Sequence, residues 1–550
     1  MKGFLNAERY AFGPWHYFER AIARLLVHKK WEGVEVVGGP GDKGADIIGL
    51  YNGVEYVVQV KWSGTNKPLS EDIVGDVVRA IDFYKIENGL CISNRHLGIG
   101  QQQKLKARCE AGYKIQVSTG RKLLDEFSKL TEWPIDSRKP WPYQVESINE
   151  LITSYESGQD RGLICLATGM GKTFVACSFL KWIYQNNKDV NVLVLAERES
   201  LIEQFETSLW KFLPKSISTN LLTGKRKPVF TEGVLLSTFG SIDKYIDENP
   251  DQLFDIMIVD EAHHSRARTY ENTINQLNPS YVLGLTATPY RTDRQTIFKI
   301  FGEPLIYYRV SDGIRRGFLS KVDYRLKGNN INVDWISEKS KKGYTIKQLN
   351  KKIFIPKLLE QVCDEFINCW RKNNRIRGII FCNSVEHAIR TERTLLSMSP
   401  FPVASYTNRN DDREKSKRLR QFRKGEISVL TTYNMLNEGV DVPDVDILCY
   451  MRVTHARNIF LQQLGRGLRY KEGGRKLIVL DYVDDLRRIG AVKRLKTELY
   501  NNDEYEDLEL GEKFQLSFSN ATTEKFLDLV KADEIELDEL EDDNYRIYLN

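Results

Sequence analysis

The sequence predicts an α/β protein built from a small N-terminal α/β domain, two parallel-sheet domains and an acidic C-terminal tail. Three observations carry that expectation. Apolar runs of four or five residues recur from Val192 onward, each closing on a polar cluster, as buried parallel strands do. Nearer the start, Tyr51-Asn52-Gly53 separates two strand-like runs, and an Asn-Gly pair there marks a tight hairpin. Between these regions, Ala167-Thr168-Gly169-Met170-Gly171-Lys172-Thr173 follows the apolar run Gly162 to Leu166 and opens the helix-like run Phe174 to Ile183.

Composition narrows the class. A chain of 550 residues holds about three or four domains, and 28% charged with 41% hydrophobic residues describes an ordinary globular protein. No apolar run approaches ~18 residues and Met1 to Phe12 carries no hydrophobic signal core, so the expectation is cytoplasmic, with no membrane partner. The eight cysteines form no Cys-x-x-Cys pair, and reduced buried thiols are the default. Residues 501–550 hold 16 acidic and 4 basic side chains, net −12, leaving 76 basic against 59 acidic, net +17, in residues 1–500. A basic body suits a polyanionic partner.

In chain order, Trp15, Phe18, Ile22 and Leu25 mark an amphipathic helix with Glu19 at the edge of its apolar stripe. A strand from Gly33 to Val37 leads into Gly38-Gly39-Pro40-Gly41-Asp42-Lys43-Gly44-Ala45-Asp46-Ile47-Ile48, then the hairpin, then Val54 to Lys61. Alternation puts Gln59 and Lys61 on one face of that strand and Val58 and Val60 on the other. Asp46 can then stand beside Gln59 and Lys61: two oxygen ligands for a hard cation such as Mg²⁺, and an ammonium able to orient a water and neutralise charge in phosphodiester hydrolysis. These residues resemble the Mrr-like branch of the restriction-endonuclease fold, in which Gln commonly replaces an acid at the position of Gln59. The resemblance implies Asp46, Gln59 and Lys61 as the site, with Glu19 as a further acidic member. A helix from Asp72 to Tyr84, a strand at Gly89 to Ile92 and another at Tyr113 to Val117 complete residues 1–132, and a Pro-containing linker occupies 133–140.

Residues 141–308 hold the phosphate loop. Glycines at 169 and 171 let backbone N–H groups approach phosphate oxygens, Lys172 reaches the β and γ phosphates, and Thr173 holds Mg²⁺, with Thr168 and Met170 completing the loop. Leu166 stands where the general pattern has its first Gly. Gln144 can pair with the adenine edge of ATP, by the amide logic that reads adenine in DNA. Asp260-Glu261-Ala262-His263 ends the run Ile256 to Val259: Asp260 suits Mg²⁺, and Glu261 suits the water that attacks the γ-phosphate.

The ordered set, with Thr286-Ala287-Thr288 after it, resembles superfamily 2 helicases and translocases of the DEAH type, especially the motor subunits of type I and type III restriction systems. The resemblance implies two RecA-like domains. It places Arg198, Thr223, Gly224, Ser237 and Thr238 on a nucleic-acid backbone, and implies partner subunits of a defence system. In residues 309–500 it implies that Thr431 and Thr432 meet the strand, Gly439 and Asp441 the nucleotide, and Gln462, Arg466 and Arg469 the ATP phosphates. The stretch Lys321 to Lys352 reads as basic and loosely patterned. Residues 501–550 read as a solvated tail or as an intramolecular DNA mimic.

Two functional classes fit. One is an ATP-driven DNA translocase or helicase coupled to a Mg²⁺-dependent endonuclease, a prokaryotic restriction or antiphage effector. The other is a repair or remodelling helicase whose N-terminal domain only binds DNA. An RNA helicase is disfavoured by the N-terminal module.

Overall fold

The computed structural model describes residues 3–327 and 359–482, less 7–9, 12, 39–43, 136–137, 188, 229, 250–252, 265–266, 290–296, 374–376, 437–441, 443, 452–462 and 470–474. Beyond these it describes 344–345, 514–518, 546–547 and positions 492, 495 and 499. Two compact units result, Met1–Ile164 with Gly171–Ile306, and Cys165–Met170 with Tyr307–Asn550.

The first unit opens with helix α1 (Trp15–His28) and strands β1 (Glu32–Val36), β2 (Ile47–Tyr51) and β3 (Val54–Lys61). Helix α2 (Ile73–Tyr84), β4 (Asn88–Ser93), α3 (Ile99–Glu110), β5 (Lys114–Thr119) and α4 (Lys122–Lys129) follow. The five strands lie in sequence order, antiparallel from β1 to β3 and parallel from β3 to β5. Asn52 and Gly53 turn the hairpin with φ of +50° and +76°, as a two-residue loop requires. Helix α2 starts where the Asp72 carboxylate accepts the Gly75 N–H at 3.1 Å. Both faces of the sheet are covered. Val58 and Val60 pack with Phe18, Ile22 and Leu25 of α1, whereas Val57 and Cys91 pack with Ile73, Val74 and Val77 of α2.

The same unit continues through α5 (Pro142–Glu156), β6 (Arg161–Leu166), α6 (Lys172–Asn186), β7 (Val192–Ala196), α7 (Glu199–Leu209), β8 (Thr219–Leu222), β9 (Val234–Thr238), β10 (Ile256–Val259), β11 (Tyr281–Thr286) and β12 (Pro304–Tyr308). Its sheet runs β12-β6-β11-β10-β7-β9-β8, parallel from β11 to β8. Trp210, just after α7, is 1% exposed and belongs to the same apolar core as Phe4, Phe18 and Phe127. The N-terminal domain and this sheet domain therefore share buried surface. Arg24 of α1 donates to the carbonyls of Ile217 at 2.7 Å, Pro214 at 2.9 Å and Leu213 at 3.3 Å. Lys215 in turn caps the end of α4 through the Ser128 and Leu130 carbonyls at 3.0 and 2.6 Å. The connecting segment is fastened too, with the Arg138 guanidinium over the rings of Phe174 and Phe212 at 5.4 and 5.2 Å.

His28 sits in this junction, and burial, with Arg24 and Lys215 nearby, pushes its pKa down to about 2. Its folded pKa lies below the unfolded value of ~6.5, so the stability it contributes is complete above that pH and is lost as pH falls from there toward 2, at up to about 1.4 kcal/mol per pH unit. The melting temperature of the wild type should accordingly fall between pH 6.5 and 5 more steeply than that of His28→Phe, whose ring suits the Phe4 ring 5.2 Å away. Equal pH slopes would refute this.

The second unit holds a sheet of β13 (Val322–Leu326), β15 (Gly378–Phe381), β16 (Val403–Tyr406), β17 (Val429–Thr432), β18 (Ile447–Tyr450), β19 (Leu477–Asp481) and β20 (Phe514–Phe518), with a two-residue pairing of β14 (Tyr344–Thr345) and β21 (Arg546–Ile547) beside it. The order is β16-β17-β15-β18-β19-β13-β20, parallel throughout. Two segments differ from the sequence reading. Val322 to Leu326 alternates buried Val322, Tyr324 and Leu326 with Asp323 and Arg325, and joins the sheet instead of remaining loose. Phe514 to Phe518, inside the acidic region, forms the edge strand. The rest of 501–550, apart from Arg546–Ile547, lies outside the described residues.

Candidate nuclease and nucleotide sites

In the N-terminal domain the expected residues converge. Asp46 precedes β2, and its Oδ2 accepts the Val60 N–H at 2.6 Å and the Gln59 amide. Oδ1 lies on the Gly38 side, where a Cβ built on Gly38 would lie 3.0 Å from Asp46 Oδ1 and 2.9 Å from Glu19 Oε1. Glu19, read from sequence as an edge residue of its helix, is 7% exposed and faces the site. Gln59 is 2% exposed, and its Oε1 has no hydrogen-bond partner among the described residues. Two carboxylates facing one point, and an amide bonded to one of them whose oxygen is orphaned, are the oxygen donors a hard divalent cation takes.

Lys61 continues the same strand face. Its Nζ stands 3.1 Å from Asp76 Oδ2 on α2, a partner with no local signal in the chain. Burial alone would depress the Lys61 ammonium, but the hydrogen bond and charge of Asp76, backed by Asp46 and Glu71, raise its pKa above the ordinary value. Lys61 is thus held cationic beside the carboxylates. Gly44 has φ +89°, and a Cβ on it would come within 2.0 Å of the Asp76 carbonyl oxygen, so only Gly lets the chain pass α2 on its way to Asp46.

In the first sheet domain the motif residues gather at the C-terminal ends of the parallel strands, where ligand sites of such sheets form. Gly171 (φ +83°) is the N-cap of α6, and the Gln144 amide nitrogen lies 2.6 Å from where a Gly171 Cβ would be. Gln144 Oε1 accepts the Trp141 N–H at 3.0 Å. Lys172 Nζ is 3.6 Å from Glu261 Oε1. Glu261 Oε2 is 3.5 Å from His263 Nδ1, which is 2.8 Å from the Thr286 hydroxyl, and that hydroxyl donates to the Thr288 carbonyl at 2.6 Å. A continuous polar chain therefore runs from Lys172 to the Thr286-Ala287-Thr288 segment. Burial and the neighbouring Glu261, against the opposing charge of Lys172, push the Asp260 pKa up to about 7. A cation favours the ionised form of such a carboxyl, which fits Mg²⁺, with Thr173 the second residue of α6.

Arg198, Thr223, Gly224, Ser237 and Thr238 come together at the ends of β7, β8 and β9, whose register pairs Ala196 with Thr238 and Leu222 with Ser237. Arg198 is exposed and nothing lies within 4 Å of a Gly224 Cβ position. Thr223 is buried and donates to Glu199 Oε1 at 3.0 Å, while Ser237 donates to the Thr238 carbonyl at 3.0 Å. In the second unit Thr431 and Thr432 are fully buried, their hydroxyls donating to the carbonyls of Ala388 at 2.8 Å and Tyr406 at 2.9 Å. Their side chains hold neighbouring elements together. Arg466 and Arg469 follow a helical turn at 463–465, and Arg469 is fixed by a bridge to Leu319. Gln462, Gly439 and Asp441 lie outside the described residues.

Comparison with known proteins agrees with this division. Residues 13–126 match the restriction endonuclease family model, 137–291 the type III restriction enzyme res subunit, and 357–471 the helicase conserved C-terminal domain. The chain is 26% identical over 378 residues to the type I restriction enzyme EcoAI endonuclease subunit of Escherichia coli, covering 63% of this chain and 46% of that one. It is 26% identical over 440 residues to the DNA 3′-5′ translocase XPB2 of Sulfurisphaera tokodaii, covering 71% and 94%. The solved structure of the ATP-dependent type ISP restriction-modification enzyme LlaBIII bound to DNA shares the fold, with a TM-score of 0.50 at 13% identity over 94% of this chain and 41% of that one. The chain thus carries a restriction endonuclease domain followed by the two domains of superfamily 2 helicases. It is homologous to type I restriction enzyme endonuclease subunits while spanning about half the length of the first of them. Among the described residues no helix is long and apolar enough to cross a membrane.

Proposed function

We propose that this chain is an ATP-driven DNA translocase or helicase whose N-terminal domain is a divalent-cation-dependent endonuclease, working with partner subunits in a prokaryotic restriction or antiphage system. The observation that carries the reading is the convergence of Glu19, Asp46 and the unpaired Gln59 oxygen beside a Lys61 held cationic, in a domain buried against the phosphate-loop domain.

In the nuclease, Glu19, Asp46 and Gln59 would hold Mg²⁺, which when bound supplies a Lewis acid and a water of lowered pKa. Lys61 orients the attacking water and meets the charge that builds on the phosphate. The Val60 N–H and Gln59 amide fix the Asp46 carboxylate, so little reorganisation remains at the moment of reaction. In the motor, the Gln144 amide recognises adenine, Lys172 neutralises the phosphates, Thr173 and Asp260 would hold Mg²⁺, and Glu261 positions water. The polar chain through His263 passes the state of that site to Thr286 and Thr288. Arg466 and Arg469 would supply positive charge for the transition state, and Arg198 with the 223–224 turn grips the strand.

Cleavage of plasmid and linear duplex with Mg²⁺, with and without ATP, tests the reading on wild type, Asp46→Ala and Lys172→Ala. Cutting should require Asp46 and ATP. An Asp46→Ala protein that cuts like wild type would sink the nuclease assignment. DNA-stimulated ATPase with no Asp46-dependent cutting would leave either an N-terminal domain that only binds DNA or a missing partner subunit, and what co-purifies with the chain would separate the two.

A further inference from the structure

The junction between the nuclease helix and the motor holds a charge cluster that neither site uses. From α1, Arg20 is paired with Glu206 and its Nη1 lies 3.9 Å from Glu203 Oε1. From the motor, Arg226 donates to that same Glu203 oxygen and stands 3.5 Å from Glu199 Oε1. Glu199 accepts the Thr223 hydroxyl, and the turn is closed by backbone bonds from Thr223 N to Arg226 O at 2.9 Å and from Arg226 N to Thr223 O at 3.2 Å. One end of the cluster is the 223–226 turn, where the strand backbone is proposed to lie. The other is Arg20, next in the chain to Glu19, whose Oε1 shares the Gly38 side with Asp46 Oδ1.

We propose that Arg226 is a positioning residue for the nuclease. Through Glu203, which it shares with Arg20, it ties the strand-gripping turn of the motor to the Glu19 carboxylate, so that DNA on the motor sets the affinity of the nuclease site for its divalent cation. This rests on the nuclease reading of Glu19, Asp46 and Gln59. The electrostatics agree. Burial would lower the Arg226 pKa, yet Glu203, Glu199 and, across the junction, Glu19 keep it raised. A phosphate arriving at Gly224 competes for the same guanidinium and changes its hold on Glu203 and Glu19. Partners that orient metal ligands typically carry 10–100-fold in metal affinity, so the coupling is measurable.

The test uses full-length protein without nucleotide and Mn²⁺ as the probe, reading by electron paramagnetic resonance the Mn²⁺ site that Asp46→Ala removes. Mn²⁺ affinity is measured with and without an oligo-dT strand, and strand affinity is measured in parallel. In wild type the strand should shift Mn²⁺ affinity roughly tenfold. In Arg226→Ala that shift should vanish while the Asp46-dependent Mn²⁺ site itself, measured without the strand, remains. Arg226→Lys should restore part of it, and Glu203→Gln should abolish it from the other side of the contact. A full shift in Arg226→Ala overturns the proposal. So does a shift lost only in proportion to lost strand binding, which makes Arg226 a DNA contact and nothing more. Absence of any Asp46-dependent Mn²⁺ site in wild type overturns the nuclease reading instead, and this proposal with it.

Discussion

Replacing Arg20 with alanine should lower folding stability by about 3–5 kcal/mol, a loss characteristic of breaking a buried ion pair from one side. Glu206 is 1% exposed, and after the truncation it keeps the Thr219 hydroxyl at 2.7 Å but has lost the guanidinium that balances its charge. Arg20 also lies over the Trp210 ring, 5.4 Å from its centroid, so alanine removes apolar contact as well as charge. The two effects separate in a double variant. Arg20→Met with Glu206→Leu removes both charges together and should recover most of the loss, since the desolvation cost of such a pair roughly matches its attraction. Because the pair joins the nuclease to the motor, Arg20→Ala should also expose the 133–140 connection to protease. Urea unfolding of wild type, Arg20→Ala and the double variant measures the effect. A loss under about 1 kcal/mol for Arg20→Ala would show that water already screens the pair and that the junction is looser than its burial implies.

Local chemistry explains what the sequence disclosed. The phosphate loop, the Asp260-Glu261 pair and the Asn52-Gly53 hairpin are read from residues adjacent in the chain, because backbone conformation and strand ends are set locally. Asp46, Gln59 and Lys61 were legible for the same reason, since one hairpin register brings them together. Long-range partners were hidden. Nothing near Lys61 in sequence points to Asp76, and nothing near Arg20 points to Glu206. Helix α3 was missed because only Gln101 of its side chains is buried, so it carries no apolar stripe. The strand at Val322 was masked by Asp323 and Arg325, which salt-bridge to each other at 2.6 Å on its polar side. The partners of Thr431 and Thr432 were hidden in the same way, since their hydroxyls satisfy the carbonyls of Ala388 and Tyr406, distant in the chain.

The sharpest functional separation is expected between two lysines. Lys172→Ala should reduce ATP hydrolysis by at least about a hundredfold, as loss of one preorganised charge at a transition state does. The structure adds a reason beyond the lost cation. Lys172 is 9% exposed and faces Glu261 at 3.6 Å, and its charge opposes the burial and like-charge repulsion that raise Asp260. Without it Asp260 ionises less readily, so ATP with Mg²⁺ should bind more weakly as well as react more slowly, and the deficit should narrow as pH rises. Lys61→Ala should cost cleavage a similar hundredfold or more and leave DNA-stimulated ATPase within about twofold, because Lys61 is paired with Asp76 inside the N-terminal domain. Steady-state ATPase and plasmid cleavage on the two variants decide the matter. If Lys61→Ala loses both activities while its melting temperature is unchanged, the nuclease and motor are not separable sites. The shared core around Trp210 would then have to be treated as part of the ATPase itself.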